Sequence, residues 1–451
     1  MPILKEKYII LHMDRMFEFV GYENNLNRAE LVFKYKVTIP EETFEFKEKL
    51  ILPNMDLERV PGELLNRILN CLLLVLGVSY WKLYCPQNIK LGIPLTKKQA
   101  EFWNSLYING LGEFFYRNKI DFREFNLFSS NTESVEPIEL KRKDRSLLGV
   151  GGGKDSIVSA ELLKKNNEEF SAFTLGEHEI QEKIVSLLGV PKISVKRIVD
   201  PLLFELNKRE DTYNGHIPIS AIYHFVGILL GALYDFKYVV FSNEKSANYG
   251  NVEYLGKQVN HQWSKSYEFE KMLQDYVSSW ITPDIIPFSL LRSMNEIKIV
   301  EVFSHYPKYF SVFSSCNNNF KITEKQEGLW CGECAKCAFV FSLLSAFIPR
   351  EKLIGIFGRN LYESSALIST YEELLGMRDT KPFDCVGTPE EVRLAFLLAY
   401  KKGKYNETPV MKIFYDKFKP SFQTIENSVS DLLKLGKLDN IPEEFRNVIL
   451  E

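Results

Sequence analysis

LLGVGGGKDSIVSAELL, residues 147–163, runs from an apolar strand through three glycines into a helix. Glycines let the backbone approach a ligand closely, and the positive end of a helix dipole attracts anions. A lysine at the start of the helix adds positive charge, and the aspartate after it would orient the loop or approach Mg²⁺. The stretch therefore predicts a phosphate-binding loop formed by Gly151, Gly152, Gly153, Lys154, Asp155 and Ser156.

This loop differs from two other nucleotide-binding motifs. A Walker A loop has four residues between its first glycine and Gly-Lys-Ser/Thr, and the GxGxxG fingerprint is followed by an acidic residue. The string resembles instead the SGGxDS loop of the PP-loop ATP pyrophosphatases, with Gly151 in place of the serine. That resemblance implies ATP, cleaved between its α- and β-phosphates. The alternative is a plain strand-to-helix turn in which Asp155 or Ser156 caps the helix.

Short apolar strands alternate with helical stretches from residue 146 to residue 241. The alternation predicts a parallel sheet with right-handed crossovers, whose ligands bind at the carboxyl ends of the strands. We therefore expect an α/β nucleotide-binding core over residues 146–310. The segment FSNEKSANYGN follows the strand KYVVFS, so it is predicted to contact substrate or Mg²⁺ through Asn243, Glu244, Ser246, Asn248 and Asn251. A solvated loop rich in turn formers is the alternative.

The chain before this core has a different pattern. Alternating runs, LVFKYKVTI and TFEFKEKLIL, predict strands, and residues 62–80 and 96–117 predict amphipathic helices. We expect a small N-terminal α+β domain over residues 1–140, joined to the core by a polar linker over residues 128–145.

Four cysteines after the core follow the pattern C-x14-C-x2-C-x2-C: Cys316, Cys331, Cys334 and Cys337. Four thiolates that can reach one point match tetrahedral Zn²⁺ in a closed, structural site. The alternatives are free buried cysteines, a redox pair or an iron-sulfur cluster. We expect this cysteine cluster, together with a helical C-terminal extension, to occupy residues 311–451.

Composition excludes several classes of protein. The 56 Lys and Arg residues against 59 Asp and Glu residues leave a net charge of -3, so no overall attraction to nucleic acid or to an anionic membrane is expected. The apolar runs CLLLVLGV and FVGILLGALY are about half the length a bilayer requires. Both predict buried helices, and the N-terminus is too charged for a signal peptide. These features indicate a cytoplasmic protein.

Several motifs together resemble the MurL-type UDP-N-acetylmuramoyl-L-alanyl-L-glutamate epimerases, from the glycine loop to about residue 387: GGGKDS, FSNEKSANYGN, VNHQWSKSYEFE, FSSCNNNF, WCGECAKCAFVF, IFGRNL and KPFDCVG. The resemblance implies an isomerase of peptidoglycan precursor synthesis that inverts the terminal L-Glu of the UDP-N-acetylmuramoyl dipeptide to D-Glu. It implies an acyl-adenylate, release of AMP and pyrophosphate, and ATP, Mg²⁺ and structural Zn²⁺ as cofactors. It also implies functional coupling to a muramoyl dipeptide ligase.

Inversion requires a group that exchanges the α-proton. The candidates are His261, Lys265 and Cys385, and His261 leads because its segment is polar and loop-like. His216, His224 and Tyr267 are further candidates, although His224 lies on an apolar helix and is expected to pack in the core. Arg292 and Arg359 are candidates to bind the substrate's carboxylates or diphosphate, with surface ion pairs as the alternative.

Two other functions fit parts of the pattern. A PP-loop enzyme that adenylates tRNA or a deazapurine would also combine the glycine loop with a four-cysteine site. A non-enzymatic nucleotide-binding scaffold would use the cysteine cluster as a partner surface. ATP turnover with substrate distinguishes the scaffold from either enzyme.

Overall fold

The computed structural model describes residues 14–25, 28–53, 60–320 and 327–450. Its strands are β1 (Met16–Asn25), β2 (Glu30–Thr38), β3 (Thr43–Ile51), β4 (Asn88–Leu91), β5 (Ser146–Gly149), β6 (Phe170–Leu175), β7 (Lys192–Ile198), β8 (Tyr238–Phe241), β9 (Val252–Tyr254), β10 (Lys257–Val259) and β11 (Ile286–Ser289). Over the described residues, nine of them form one sheet in the order β11-β8-β5-β6-β7-β3-β2-β1-β4, and β9 and β10 form a separate hairpin.

Helices cover both faces of the large sheet. They are α1 (Gly62–Trp81), α2 (Lys97–Gly110), α3 (Gly112–Asn118), α4 (Lys154–Lys165), α5 (Glu179–Leu188), α6 (Pro201–Leu206), α7 (Ile219–Tyr234), α8 (Tyr267–Tyr276), α9 (Glu296–Phe303), α10 (Ala335–Ser345), α11 (Arg350–Phe357), α12 (Ile368–Leu374), α13 (Pro389–Lys401), α14 (Pro409–Phe418), α15 (Phe422–Asn427), α16 (Val429–Leu432) and α17 (Glu443–Leu450).

The core half of the sheet is parallel. Strands β11, β8, β5, β6 and β7 pair side by side in the same direction, which confirms the predicted mixed α/β class with a largely parallel sheet. Strand β11 was not predicted because Pro287 interrupts its apolar run. Proline is tolerated there because β11 lies at the edge of the sheet.

The predicted N-terminal strands form, and they continue the same sheet. β3 pairs with β7 in antiparallel register, and β2, β1 and β4 follow outward. Arg197 on β7 and Glu48 on β3 form a buried ion pair with 2.6 Å between Nε and Oε1, so the junction is joined by side chains as well as by backbone hydrogen bonds. The boundaries at residues 140, 146 and 310 stay predictions.

Alternate residues of the central strands point to opposite faces and join two different hydrophobic clusters. Leu147 and Val239 pack in one cluster with residues of α1 and α7. Leu148 and Val240 pack in the other with residues of α10 and α13, so C-terminal helices pack on this face of the sheet.

Helix α1 is long and apolar enough to cross a membrane by length and composition, but 83% of its most apolar window is buried inside the protein. A Cβ added at Gly77 would lie 2.5 Å from Cε1 of Phe19, so the glycine lets α1 approach β1 closely. Burial of α1 and α7 confirms that the two apolar runs are core helices.

Candidate functional site

The glycine loop and the segment after β8 meet at one edge of the sheet. β5 and β8 are parallel neighbours with Leu148 opposite Val240, so their carboxyl ends lie side by side. Helix α4 begins at Lys154, directly after the glycines, with Gly153 as its N-cap. This arrangement is the one that the sequence predicts for a ligand site.

Glycine is required at two positions of the loop. Gly152 has a φ of +102°, a conformation that side chains disfavour, and a Cβ at Gly153 would lie 2.8 Å from Oγ of Ser315. That hydroxyl is buried and has no hydrogen-bond partner within the described ranges. Gly151 is exposed, and a Cβ there would meet nothing within 4 Å. An open backbone loop at a helix N-terminus, with a buried hydroxyl beside it, fits a phosphate group.

Lys154 lies between carboxylates rather than in open solvent. Its fully buried Nζ is 2.6 Å from Oδ1 of Asp155 and donates a second hydrogen bond to Glu296 on α9. Burial alone would lower the pKa of Lys154, but the charges of Asp155 and Glu296 raise it. Lys154 is therefore a charged group held inside an ion-pair cluster at the base of the loop.

Glu244 adds another carboxylate to this cluster. Burial and the charge of Glu296 raise the pKa of Glu244 to about 7, with Asp155 acting in the same direction. Oxygen ligands of this kind suit Mg²⁺. Asp155, Glu244 and Glu296 thus form an acidic group beside the glycine loop, and a Mg²⁺ site at Asp155 and Glu244 stays a prediction.

Other polar residues after β8 hydrogen-bond to neighbouring segments. Asn243 Nδ2 donates to Oγ of Ser289 at 3.0 Å, and Ser246 Oγ donates to Oε1 of Glu391 at 2.9 Å. These bonds connect the segment to β11 and α13. They position the backbone of the segment, and a role of Asn243 and Ser246 in substrate binding stays a prediction.

The two later asparagines of the segment hold the chain around His261. Asn251 Oδ1 accepts the backbone N–H of His261 at 2.8 Å, and its Nδ2 donates to the carbonyl of Pro382 at 2.7 Å. Asn248 Oδ1 accepts the N–H of Tyr267 at 2.7 Å. Substrate binding by Asn248 and Asn251 therefore also stays a prediction.

The predicted arginines are paired within the protein. Arg292 is buried, and its Nη2 lies 2.7 Å from Oε2 of Glu270. Its Nη1 donates to the carbonyl of Glu244 at 2.9 Å, so it supports the segment from behind. Arg359 donates to the carbonyl of Gly332 at 2.9 Å, next to the cysteine cluster. Substrate binding by Arg292 stays a prediction.

The three predicted proton-transfer residues lie together, although they come from distant parts of the sequence. Nζ of Lys265 donates to Sγ of Cys385 at 3.4 Å, and Cys385 and His261 are joined by a side-chain hydrogen bond. Burial would raise the pKa of the Cys385 thiol, but the positive charge of Lys265 and the hydrogen bond with His261 lower it to about 5. At neutral pH this side chain is a thiolate.

Glu113 on α3 completes this group. Nδ1 of His261 donates to its Oε2 at 2.5 Å, and Nδ1 of His216 lies 3.6 Å from the same oxygen. Burial would lower the pKa of His261, but hydrogen bonds with Cys385 and Glu113 raise it to about 9. Burial and the charge of His261 lower the pKa of His216 to about 3. His261 is therefore charged and His216 neutral at pH 7.

Two further candidates lie outside this group. His224 is buried in α7, donates from Nδ1 to the carbonyl of Ser220 at 2.6 Å and packs on Phe241, as expected for a core histidine. The hydroxyl of Tyr267 donates to Asp439 at 3.3 Å, near the C-terminal helices.

The four clustered cysteines place their sulfur atoms within 4.8 Å of one another. The Sγ atoms are 4.0 Å apart for Cys316 and Cys334, 3.7 Å for Cys331 and Cys337, and 3.5 Å for Cys334 and Cys337. Two thiolates on one tetrahedral Zn²⁺ are about 3.8 Å apart, because each Zn–S bond is about 2.3 Å. The cluster has the geometry of a structural zinc site.

This cysteine cluster contacts the loop that carries Cys385. Lys336, between two of the clustered cysteines, donates to the carbonyl of Cys385. Asn317, beside a third, donates to Oδ1 of Asp384. The cysteine cluster thus supports the position of the thiol.

Comparison with known protein families matches almost the whole chain. A family model described as the MurL N-terminal domain matches residues 11–290, and one described as the MurL C-terminal domain matches residues 312–428. The chain belongs to the MurL family. The first MurL model ends at residue 290, directly after β11, so it spans both the N-terminal strands and the parallel half of the shared sheet.

Named relatives within the MurL family are epimerases. The chain is 35% identical over 381 residues to the UDP-N-acetyl-alpha-D-muramoyl-L-alanyl-L-glutamate epimerase of Xanthomonas oryzae pv. oryzae, covering 84% of each chain. It is 34% identical over 445 residues to the enzyme of the same name from a Micromonospora strain, covering 96% of this chain and 98% of the relative. These relatives confirm the prediction of an isomerase.

The sequence pattern did not single out four charged residues of the candidate site: Glu113, Glu296, Lys336 and Asp384. Glu296 and Lys336 occur near the start of helices, where charged residues are common without function. The one available signal for Glu113 was a carboxylate inside the apolar run GLGEFF, because a charge there must find a partner.

Proposed function

We propose that this protein inverts the terminal L-Glu of UDP-N-acetylmuramoyl-L-alanyl-L-glutamate to D-Glu in an ATP-dependent reaction. The observation that carries the proposal is the placement of the Cys385 thiol beside two basic side chains, Lys265 and His261, which lower its pKa. The names of the MurL-family relatives supply the substrate.

The proposed nucleotide site is a PP-loop. Phosphates of ATP would lie on the backbone of Gly151, Gly152 and Gly153 and at the N-terminus of α4, with Ser156 in its first turn. Asp155 and Glu244 would hold Mg²⁺ beside this loop, and the bound ion would supply positive charge for the leaving pyrophosphate. Lys154 would keep these carboxylates from repelling the nucleotide.

Activation of the glutamate explains why ATP is used. Removal of the α-proton beside a free carboxylate would place a second negative charge next to the first. When the carboxylate attacks the α-phosphate, pyrophosphate leaves and an acyl-adenylate forms, whose carbonyl is neutral and can delocalise the new electron pair. The α-proton therefore becomes much easier to remove.

In the proposed inversion, the Cys385 thiolate accepts the α-proton. The C–H bond breaks, an S–H bond forms, and the electron pair moves into the carbonyl of the acyl-adenylate. A proton then returns to the opposite face of the carbon, and Lys265 and His261 are the two cationic acids nearest the thiol. Hydrolysis of the adenylate releases AMP and the D-Glu product.

Two features support the setting of this reaction. Four of the seven cysteines are grouped as in a metal site, a use of cysteine that is typical of reducing compartments and supports a cytoplasmic location. The substrate is the product of an amide-forming ligation, which supports functional coupling to a muramoyl dipeptide ligase. Zn²⁺ at the cysteine cluster would be structural, because all four positions are filled by cysteines.

The direct test is incubation of the purified protein with ATP, Mg²⁺ and the UDP-linked dipeptide, followed by chiral analysis of the glutamate. We expect D-Glu, AMP and pyrophosphate, and no D-Glu without ATP. ATP turnover with tRNA or a deazapurine in place of the dipeptide would support the RNA-directed alternative instead. No turnover with any of these substrates would support the scaffold.

A further inference from the structure

Glu113 is a buried carboxylate from a part of the chain that none of the recognised motifs reach. It is 6% exposed and lies on α3, between Gly112 and Phe114. A buried charge is costly unless it is paired and hydrogen-bonded. Each of its oxygens has a partner: Oε1 lies 2.6 Å from Nε of Arg117 on the same helix, and Oε2 lies 2.5 Å from Nδ1 of His261.

The orientation of His261 is fixed from several sides. Its backbone N–H is held by Asn251, and its ring packs on the ring of His216 with 4.4 Å between centroids. Nδ1 of the ring donates to Glu113, and the same ring also interacts with the Cys385 thiol. The carboxylate, the imidazole and the thiol are therefore connected in series.

We propose that Glu113 is a positioning residue for the reacting thiol: it holds His261 as an imidazolium that faces Cys385 and thereby keeps Cys385 ionised. The inference rests on the proposed function for the use of the thiolate. The ionisation itself can be measured without ATP or dipeptide.

Other charged groups also face the thiol. Lys265 and Lys336 stabilise its negative charge, and Lys381 and Asp384 lie close enough to interact with it. The charge of His261 also interacts with Asp384 and with His216. The positive charges of Lys82 and Lys265 act on His216 and lower its pKa. Removing the charge of Glu113 would lower the pKa of His261, because a major counter-charge of the imidazolium disappears. A neutral imidazole stabilises a thiolate less than an imidazolium does, so the pKa of Cys385 would rise. Lys265 and Lys336 would still keep it below the value of a buried thiol without cations beside it.

A metal ion is the competing explanation for this group, since ligand atoms of Glu113, His216 and His261 lie within 4.8 Å of one another. Two nitrogen or oxygen ligands of one Zn²⁺ are about 3.3 Å apart, given bonds of about 2.0–2.1 Å. The 2.5 Å contact between Glu113 and His261 is shorter and is that of a direct, charge-assisted hydrogen bond.

The test is the rate at which iodoacetamide alkylates Cys385 as a function of pH, with the modified residue identified by peptide mass spectrometry. Burial raises the pKa of Cys71 to about 12 and also raises that of Cys85, so neither reacts in the folded protein. We expect a midpoint near pH 5 for the wild type. Glu113→Gln should move the midpoint upward by about one pH unit or more, because it removes a charge that favours the imidazolium.

Matched variants separate this effect from general damage. Glu101→Gln removes a carboxylate from the surface of α2 and should leave the midpoint unchanged, whereas Glu113→Asp should restore part of the shift. His261→Gln should raise the midpoint at least as much as Glu113→Gln. Alkylation of Cys71 and Cys85 would reveal a Glu113 variant that fails to fold. In that case His261→Gln still tests whether His261 keeps Cys385 ionised.

An unchanged midpoint in folded Glu113→Gln or in His261→Gln would overturn the inference. The inference would also be overturned if Glu113→Gln lost one equivalent of bound metal that the wild type holds. That result would mean that Glu113 and His261 bind a metal ion and do not act on Cys385 in series. If the variants show the expected shift of the midpoint but the wild type forms no D-Glu, the role of Glu113 stands and the proposed function fails.

Discussion

Nδ1 of His261 lies 2.5 Å from Oε2 of Glu113, although 148 positions separate the two residues in the chain. The contact joins helix α3 to the segment after β10 and places a positive charge beside Cys385. The site therefore contains an ion pair that no local motif encodes. The ionisations of Cys385 and His261 set the pH range over which the thiolate and the imidazolium exist together.

We expect the kcat/KM for epimerisation to be bell-shaped in pH. The thiolate is lost as the pH falls through the lowered pKa of Cys385, about 5, and the imidazolium is lost as the pH rises through the raised pKa of His261, about 9. Lys265→Met should move the acidic limb to higher pH because it removes a cation from the thiol. A profile that stays flat from pH 4 to pH 10 would contradict the assignment.

Cys385→Ser should separate the two halves of the reaction. A hydroxyl is a far weaker base than a thiolate, so we expect D-Glu formation to fall by about 10²–10⁴-fold. Exchange of labelled pyrophosphate into ATP, which reports adenylation alone, should continue in the presence of the dipeptide. Equal loss of both activities would mean that Cys385 acts before proton transfer.

Substitution of Lys154 should cost stability as well as activity. Lys154→Met leaves Glu296 and Asp155 without their closest cation, and breaking a buried ion pair typically costs about 3–5 kcal/mol. Adding Glu296→Gln to Lys154→Met should recover part of the loss in urea denaturation. The control is Glu296→Gln in the wild-type background. If Glu296→Gln lowers the free energy of unfolding by the same amount in the wild type and in Lys154→Met, the two residues are not coupled.

Elemental analysis should find one Zn²⁺ per chain at the cysteine cluster. Cys334→Ser should lose the metal and unfold or aggregate, because a structural metal contributes folding free energy directly. Cys385→Ser is the matched control and should retain the metal, since its sulfur lies outside the cluster. Iron with sulfide in place of zinc would favour the RNA-directed alternative.

The α-hydrogen should exchange with solvent during inversion. In D₂O we expect deuterium at the α-carbon of the D-Glu product, together with AMP and pyrophosphate in equal amounts. Formation of ADP and phosphate, or inversion at full rate without nucleotide, would rule out adenylation. The measurement is mass spectrometry of the isolated glutamate combined with chromatography of the nucleotides.

Apart from β11, the strands and helices of the parallel core were predictable because each follows a local pattern, such as the apolar run of β5 and the glycines before α4. The grouping of His261, Lys265 and Cys385 was predicted only as a set of candidates. No periodicity brings residue 261 beside residue 385, and tertiary packing alone does so. Glu113 had no motif at all.

The pairing of β3 with β7 was unpredictable for a similar reason. The polar stretch at residues 128–145 has the composition of a linker, and nothing in either strand indicates its partner. The junction depends on three backbone register pairs and on the buried Arg197–Glu48 contact. Such long-range pairing is decided by which sheet edge is available in the folded chain.

That pairing gives the first strands a second task. If the chain began after residue 140, β7 would become an outer strand with unsatisfied N–H and C=O groups along one side. Open edges of this kind recruit strands from other molecules. A shortened protein that keeps the glycine loop would therefore be prone to self-association. Light scattering of such a fragment would reveal how far the N-terminal strands prevent self-association by covering the edge of β7.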